Sequence, residues 1–476
     1  MIPEFYLVII LLAVFAVDFI MHRSEKKHDV LFGVTVALML VLPFRIALLS
    51  EPAEAFGGMY VASQAANVMK VILSIGTVIV LIMAEPWLKN EASRHEGEFY
   101  LLVLSTLLGM FIMVSSGNFL LFFLGLETAS VPMACLVAMD KWKKKSAEGA
   151  AKYILTATFS SGIMLYGLSF VYGSTGTLYF DGVTDRMAFM SQFKSQLPML
   201  IMGLVFFFSG LGFKLSLVPF HFWTADTYEG APTPVTGYLS VVSKGAAAFA
   251  LMVILMKAFA PLTAYWEYLL YIVIVLSITI ANLFAIRQSE LKRFMAFSSI
   301  SQAGYIMLAV IGASQTGMAS LMYYVLVYVV ANMAVFTVIS TVEQNNGGRT
   351  DMSAYDGLYQ TNPRLAFLMT LALFSLAGIP PFAGMFSKFF VFMAAAEQGS
   401  FLAYFVVFVA LVNTVVSLYY YLLIVKAMYI KQTDTPLPTF RTEPTTRLAL
   451  VLCTVGIALF GLCSCIYDYL FAASAL

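Results

Sequence analysis

Five ionisable side chains fall inside runs that are otherwise apolar: Glu127, Lys152, Lys214, Lys244 and Lys388. Placing such a group at the centre of a bilayer costs about 2.5–3.5 kcal/mol on insertion scales, and the groups that are retained usually face the bundle interior and mark ion or proton paths. Lysine suits proton handling. Burial in an apolar medium weakens its hold on the proton, and a nearby carboxylate restores it. Moving the carboxylate away then releases the proton. Glu127 with Lys214 is the natural pair for such a switch, with Lys244 as the next station and Lys388 as the entry or exit. His221 follows Lys214 by seven residues, so the two share a face if the helix continues that far.

Each residue also has a structural reading. Lys214, Lys244 or Lys388 would serve as a fixed cation tying backbone carbonyls at a helix break. Glu127 would merely neutralise a lysine. Lys152 stands about two turns from a basic loop and would snorkel to it. His221 would be a satisfied core histidine. Ser298, Ser299, Ser301 and Gln302 either line water or bond between helices. Asp226 and Glu229 read as cap or loop-stabilising residues, Asp18 as facing the headgroups.

The elements that position these groups are membrane helices. The chain has 476 residues, 61% hydrophobic and 11% charged, against roughly 25% charged in a soluble domain. A span needs about 20 apolar residues. Fourteen such runs can be marked: 2–21, 30–49, 64–84, 98–116, 117–139, 147–172, 198–219, 232–257, 264–286, 290–312, 317–341, 363–397, 402–430 and 446–472. The opening MIPEFYLVII has no basic n-region and reads as a retained first span. Pro219 breaks the seventh run, and Gly378-Ile379-Pro380-Pro381 breaks the twelfth. Pro232 and Pro234 suit the first turn of the eighth. Broken helices at matching places in two halves point to a transport site between repeats. The organisation expected is an N-terminal three-helix segment (1–97), a first repeat of spans 4–8 (98–257), a second of spans 9–13 (264–430), and a C-terminal helix (446–476).

Loop charge sets the orientation. One side carries Arg23, Lys26, Lys27, Lys89, Arg94, Lys141, Lys143, Lys144, Lys145, Arg287, Lys292, Arg293, Arg349, Arg364, Lys431, Arg441 and Arg447; the other has Arg186, Lys194 and Lys257. The basic side is read as cytoplasmic, with both termini on the opposite face. Arg45, Lys70 and Lys426 lie near span ends and would snorkel. A net charge of +1 gives no field to recruit nucleic acid. Cys135, Cys453, Cys463 and Cys465 show no cluster-ligand spacing. Cys463 and Cys465 are read as pointing to different faces of one apolar helix. No histidine cluster, GxGxxG or GxxxxGK[ST] occurs, so metal, dinucleotide and P-loop sites are not indicated.

Several stretches resemble one family. VPFHFWTADTYEGAPTPVTGYLSVVSK, ending at Lys244, is similar to the N subunits of bacterial NADH–quinone oxidoreductase, respiratory complex I. GLETASVPM around Glu127, AAKYILTATFSSG around Lys152, LKRFMAFSSISQAGY from Leu291 and LAGIPPFAGMFSKFFVF around Lys388 agree with it in order and spacing. The resemblance covers nearly the whole chain. It implies an all-α integral membrane protein of about 14 transmembrane helices, with two inverted five-helix repeats and broken helices 7 and 12. It also implies roles in proton translocation for Glu127, Lys152, Lys214, Lys244, Lys388 and His221. The lysine at span twelve and the end after span fourteen favour the N type over the related M and L types. The family implies the following partners: membrane subunits of the M, K, L, J, A and H types, and indirectly a peripheral redox arm. NADH or another donor, flavin, iron–sulfur clusters and quinone belong to those subunits, with none in this chain, in a bacterial inner membrane with both termini periplasmic. Two rivals are a cation/proton antiporter subunit without redox coupling and a purely structural subunit; the mid-span charges speak against the latter.

Overall fold

The computed structural model describes residues 1–21, 24–190, 196–431, 433, 437–463 and 465–475. Arg23 and Lys194, counted above in the charge asymmetry, lie outside the described residues. The described chain is helical apart from a short antiparallel hairpin, β1 (Ala53–Ala55) and β2 (Tyr60–Ala62). Three spans come first: α1 (Ile2–Ile20), α2 (Lys27–Leu49) and α3 (Gln64–Asn90). The first repeat holds α4 (Glu96–Val114), α5 (Phe119–Val137) and α6 (Lys144–Thr175), then a short α7 (Phe180–Met190) and α8 (Leu197–Leu215). After a break the chain resumes as α9 (Phe222–Gly230). It then crosses again through α10 (Thr233–Tyr238), a π-helical stretch Leu239–Ser243, and α11 (Lys244–Lys257). The second repeat follows with α12 (Thr263–Ile286), α13 (Leu291–Ile311), α14 (Gln315–Asn345), a short α15 (Leu358–Thr361), the broken pair α16 (Pro363–Ala377) and α17 (Ala383–Ala396), and α18 (Phe401–Tyr429). The chain closes with α19 (Pro444–Leu462) and α20 (Cys465–Ala473).

Among the described residues, 13 helical stretches are long and apolar enough to cross a membrane, and α16 with α17 supply one more crossing in two pieces. Each repeat makes five crossings, an odd number, so the second starts from the opposite face. The second set of five therefore crosses in the opposite sense to the first. The interior is set by burial. The apolar windows of α13 and α14 are wholly buried, and those of α3 and of Thr233–Lys257 nearly so. By contrast α1, α2, α18 and α19 turn most of their apolar side chains outward, as lipid-facing helices do.

Both breaks are helix ends, and in neither is a proline the terminator. α8 stops at Leu215 because Ser216 turns left-handed (φ 60°), with Leu217 N–H donating to Gly212 O (2.8 Å) and Ser216 N–H to Phe213 O (2.9 Å). α16 stops the same way at Gly378 (φ 88°), with Ile379 N–H to Phe374 O (3.0 Å) and Gly378 N–H to Ser375 O (3.0 Å). These are Schellman closures; Pro219 and Pro380 come after them and prevent resumption.

Four further expectations are corrected. The run 446–472 is not one helix. α19 already spans about 28 Å at 1.5 Å per residue, close to the bilayer core, and Cys463 leaves it in an extended conformation. Cys463 and Cys465 therefore belong to two different segments, not to two faces of one helix. Lys70 does not snorkel. It is fully buried (0% exposed) and ion-paired to Glu4 at 2.6 Å, with its Nζ donating to Tyr60 OH at 3.1 Å. Lys292 is no free loop cation either; it is buried and donates to Ala231 O at 2.7 Å.

Candidate functional site

Lys214, Lys244 and Lys388 are only 3%, 1% and 4% exposed, and among the described residues none of them forms an ion pair. Their partners are hydroxyls, carbonyls and rings. Lys214, at the end of α8, donates to Ser130 Oγ on α5 (2.8 Å) and reaches Tyr153 OH on α6 (3.4 Å). Tyr153 is wedged against Phe213 and Trp223, and the Trp223 indole donates to Phe213 O (3.1 Å), the carbonyl that also accepts from Ser216 N–H in the helix closure. Lys244 begins α11, directly after the π-helical stretch, and donates to Ser299 Oγ on α13 (2.8 Å) under the Tyr228 ring. π-Bulges are frequent at functional sites. Ser299 also bonds Tyr228 OH (3.2 Å). Lys388, in the second turn of α17, donates to Ala377 O (2.9 Å), the last residue of α16, and lies 4.9 Å from the centre of the Tyr305 ring.

Of the α13 groups read beforehand as water-lining or interhelical, Ser298, Ser299 and Gln302 bond between helices. Ser298 pairs with Tyr421 OH (2.6 Å). Gln302 donates to Tyr421 OH and to Leu376 O (both 3.3 Å), and its carbonyl accepts from Tyr324 OH. Ser301 Oγ is buried without a partner. Residues 299, 302 and 305 share one face of α13, and this face runs from the Lys244 contact to the Lys388 contact. Beside Lys388 a cavity of about 10 Å³ is lined by Gln302, Tyr324, Tyr328, Ser375 and Ser387, about the room one water needs.

Glu127 and Lys214 are not in contact as a pair. Glu127 is half-buried and accepts from Ser161 Oγ on α6 (2.5 Å), and the Lys214 ammonium is held by Ser130, one turn along α5 from Glu127. His221 does not share a face with Lys214, because α8 ends between them. It precedes α9 with its ring stacked on Phe222 (4.6 Å), and its Nδ1 is buried without a partner. Lys152 stands apart from the buried row. It bonds Asp226 and Glu148 at 2.5 Å each, in a half-exposed network where Arg293 holds both Asp226 and Glu229 (2.7 Å) and Lys145 holds Glu229 (2.6 Å). Burial alone would raise the Asp226 carboxyl; the bonds from Lys152 and Arg293 outweigh it and hold its pKa below the ordinary carboxylate value. Glu229 is lowered likewise, by Lys145 and Arg293 against burial. This network ties the α9 connection of the first repeat to α13 of the second, and it accounts for an acidic cluster on the basic face. Asp18 is paired with Lys27 at 2.7 Å.

Sequence reasoning missed the Glu4–Lys70–Tyr60 cluster, because Glu4 lies in the first turn of a helix and Lys70 one turn and a half into another. It also missed Tyr153, Tyr228 and Tyr324 as groups between lysines, although the polar face of α13, Gln302 included, was singled out in the sequence. Among the described residues no group of three or more His, Cys, Asp and Glu could hold a metal ion.

The family described as "NADH:quinone oxidoreductase/Mrp antiporter, TM" matches residues 116–417, which include both breaks and every lysine of the buried row. NADH-quinone oxidoreductase subunit N of Phocaeicola vulgatus is 60% identical over 434 residues, 91% of this chain and 90% of that one. A chain of respiratory complex I from Thermus thermophilus superposes with a TM-score of 0.77 at 30% identity, covering 97% of each. A chain of the Mrp complex from Dietzia shares the fold, with a TM-score of 0.82 at 20% identity over 99% of this chain and 96% of that one. The chain therefore belongs to the antiporter-like membrane subunits of the NADH:quinone oxidoreductase/Mrp family, in the subunit N branch.

Proposed function

We propose that this chain carries protons across the membrane as a subunit of an NADH–quinone oxidoreductase, through Lys214, Lys244 and Lys388. One observation carries the reading: three buried lysines are each held by groups other than carboxylates. Lys70 shows the contrast within the same chain, since it has its carboxylate at 2.6 Å. A carboxylate fixes a lysine as a cation. A hydroxyl accepts from an ammonium or donates to a free amine, so the Ser130–Lys214 and Ser299–Lys244 contacts survive either protonation state.

Glu127 modulates Lys214 across the Ser130 turn, not by direct pairing, and would do so more strongly on swinging from Ser161 towards it. Ser299 and Gln302 on the central face of α13, with Tyr324 of α14, relay between Lys244 and Lys388, with room for a water beside the latter. Lys152 with Asp226, and the unpartnered imidazole nitrogen of His221, stand towards the basic face, where protons enter or leave. That face is cytoplasmic on the charge rule, and both described ends are periplasmic, in a bacterial inner membrane. Segments 1–97, 98–257 and 264–430 serve as an N-terminal bundle and two transport repeats, and 446–476 holds the C-terminal helices α19 and α20. The driving redox chemistry, with its nicotinamide, flavin, iron–sulfur and quinone groups, belongs to partner subunits. Those partners are the M, K, L, J, A and H types and the peripheral arm.

The Mrp-like fold supports a second reading, cation/proton exchange without redox coupling. Inverted membrane vesicles separate the two. NADH-driven proton uptake that is lost in an assembled Lys244→Met complex supports the first. Uptake unchanged by that substitution, or cation exchange undiminished without NADH, would count against it.

A further inference from the structure

A cavity of about 800 Å³ opens on the face where α1 begins, lined by Ile9, Leu108, Ile112 and Leu121 together with Arg45 and Tyr6. This lies in the about 300–1,000 Å³ range of clefts that hold small ligands. Its lining is apolar, yet Arg45 stands there without an ion pair among the described residues, and its Nε is buried without a hydrogen-bond partner. The acid that also lines the cavity is committed elsewhere: Glu4 is held by Lys70 (2.6 Å) and Tyr60 (2.8 Å). The Arg45 guanidinium lies over the Tyr6 ring at 4.7 Å, a contact that uses its face and leaves its N–H edges free. Arg45 is four residues before the end of α2 at Leu49, about 6 Å of helix. A basic residue about one turn from the end of a span reaches the headgroup level with its side chain.

We propose that a phospholipid of the leaflet on this face occupies the cavity, its phosphate on the Arg45 guanidinium and one acyl chain between α1, α4 and α5. A guanidinium fork matches phosphate geometry bidentately, and the cavity continues the path of a tail below it. The lipid cements the N-terminal bundle to the first repeat.

The test uses the intact complex in vesicles of phosphatidylethanolamine and phosphatidylglycerol, with a phosphatidylglycerol probe carrying a diazirine midway along one acyl chain. After photolysis, mass spectrometry should find adducts at Ile9, Leu108 or Ile112. Arg45→Gln should reduce them about fivefold, the loss expected for one basic contact to an anionic lipid, and Arg45→Lys should retain most of them. Leu108→Trp keeps the charge and obstructs the tail path beside Ile112, so adducts at Ile112 should fall. Adducts unchanged by both Arg45→Gln and Leu108→Trp would mean bulk lipid only and would overturn the proposal. So would adducts absent from the cavity, with cross-links from a partner polypeptide there instead.

Discussion

Gly210→Ala perturbs the spacing around Lys214 without touching a titratable group. Gly210 precedes Lys214 by one turn of α8. A Cβ there meets Met164 Cβ on α6 at 2.6 Å, with Met164 Sδ and Cγ at 3.1 and 3.2 Å. The nearest of these is anchored to the backbone and cannot swing aside. Ordinary contact begins near 3.4 Å, so the helices must part by about 0.8 Å at this level. The Lys214–Tyr153 contact bridges the same two helices and is already 3.4 Å long; the displacement takes it past hydrogen-bonding range. The bond from Ser160 Oγ to Gly210 O, also 3.4 Å, is lost with it. Overpacking costs about 1–3 kcal/mol, and alanine returns about 1 kcal/mol of helix propensity. The complex should therefore still assemble. A misplacement of about 1 Å at a reacting group costs on the order of a hundredfold, so proton uptake should fall by about tenfold or more. The assay is NADH-driven proton uptake by inverted vesicles, with assembly followed on native gels. Met164→Ala should not rescue, because it leaves the Cβ in place. Gly173→Ala on α6, with nothing within 4 Å of the added atom, should be silent. Wild-type uptake by an assembled Gly210→Ala complex would refute the idea that α6–α8 spacing sets the Lys214 site.

Glu4 and Lys70 should behave as a structural pair. Glu4→Gln or Lys70→Met alone strands a buried charge at a cost of about 3–5 kcal/mol, whereas the double substitution should recover much of the thermal stability; equal losses in all three variants would exclude a mutual pairing. For the Asp226 network the sign is fixed by a lowered folded pKa. Its stabilisation is full above the unfolded value of about 3.9 and is lost as pH falls through the folded one. Half-exposed pairs of this kind contribute about 1 kcal/mol or less. Melting of wild type and Asp226→Asn should therefore differ slightly and constantly between about pH 5 and 8, and converge only in strong acid. A difference that disappears near neutrality would contradict the assignment.

The sequence made the number of crossings, the two interruptions and the identities of the buried lysines readable, because an ionisable group in an apolar run stands out whatever the packing. Lys214, Lys244 and Lys388 are all buried in α8, α11 and α17. Partners were not readable, since which helices meet is a long-range property. Ser130 lies 84 residues from Lys214 and Ser299 lies 55 from Lys244. The break points were misplaced for a local reason. Proline is visible in sequence, whereas a left-handed Ser216 is not, so the end of α8 comes before Pro219. Lys70 was misread because position along a span does not reveal that the neighbouring α1 offers Glu4. Lys152 was ambiguous for the converse reason. It stands about two turns into α6, a helix of 32 residues, about 48 Å long, which exceeds a bilayer core, so the first turns of α6 stand in the aqueous network with Asp226.

Whether Lys214 exchanges its proton is tested most directly by a pair of substitutions. Lys214→Met keeps length and removes the titratable group. Lys214→Arg keeps the charge and will not release a proton, since its pKa lies above about 12. Both are measured as NADH-driven proton uptake by inverted vesicles, with the assembled complex quantified on native gels. For a proton carrier both variants assemble and neither pumps. Full pumping by an assembled Lys214→Arg complex would contradict the carrier role and leave Lys214 as a fixed structural charge.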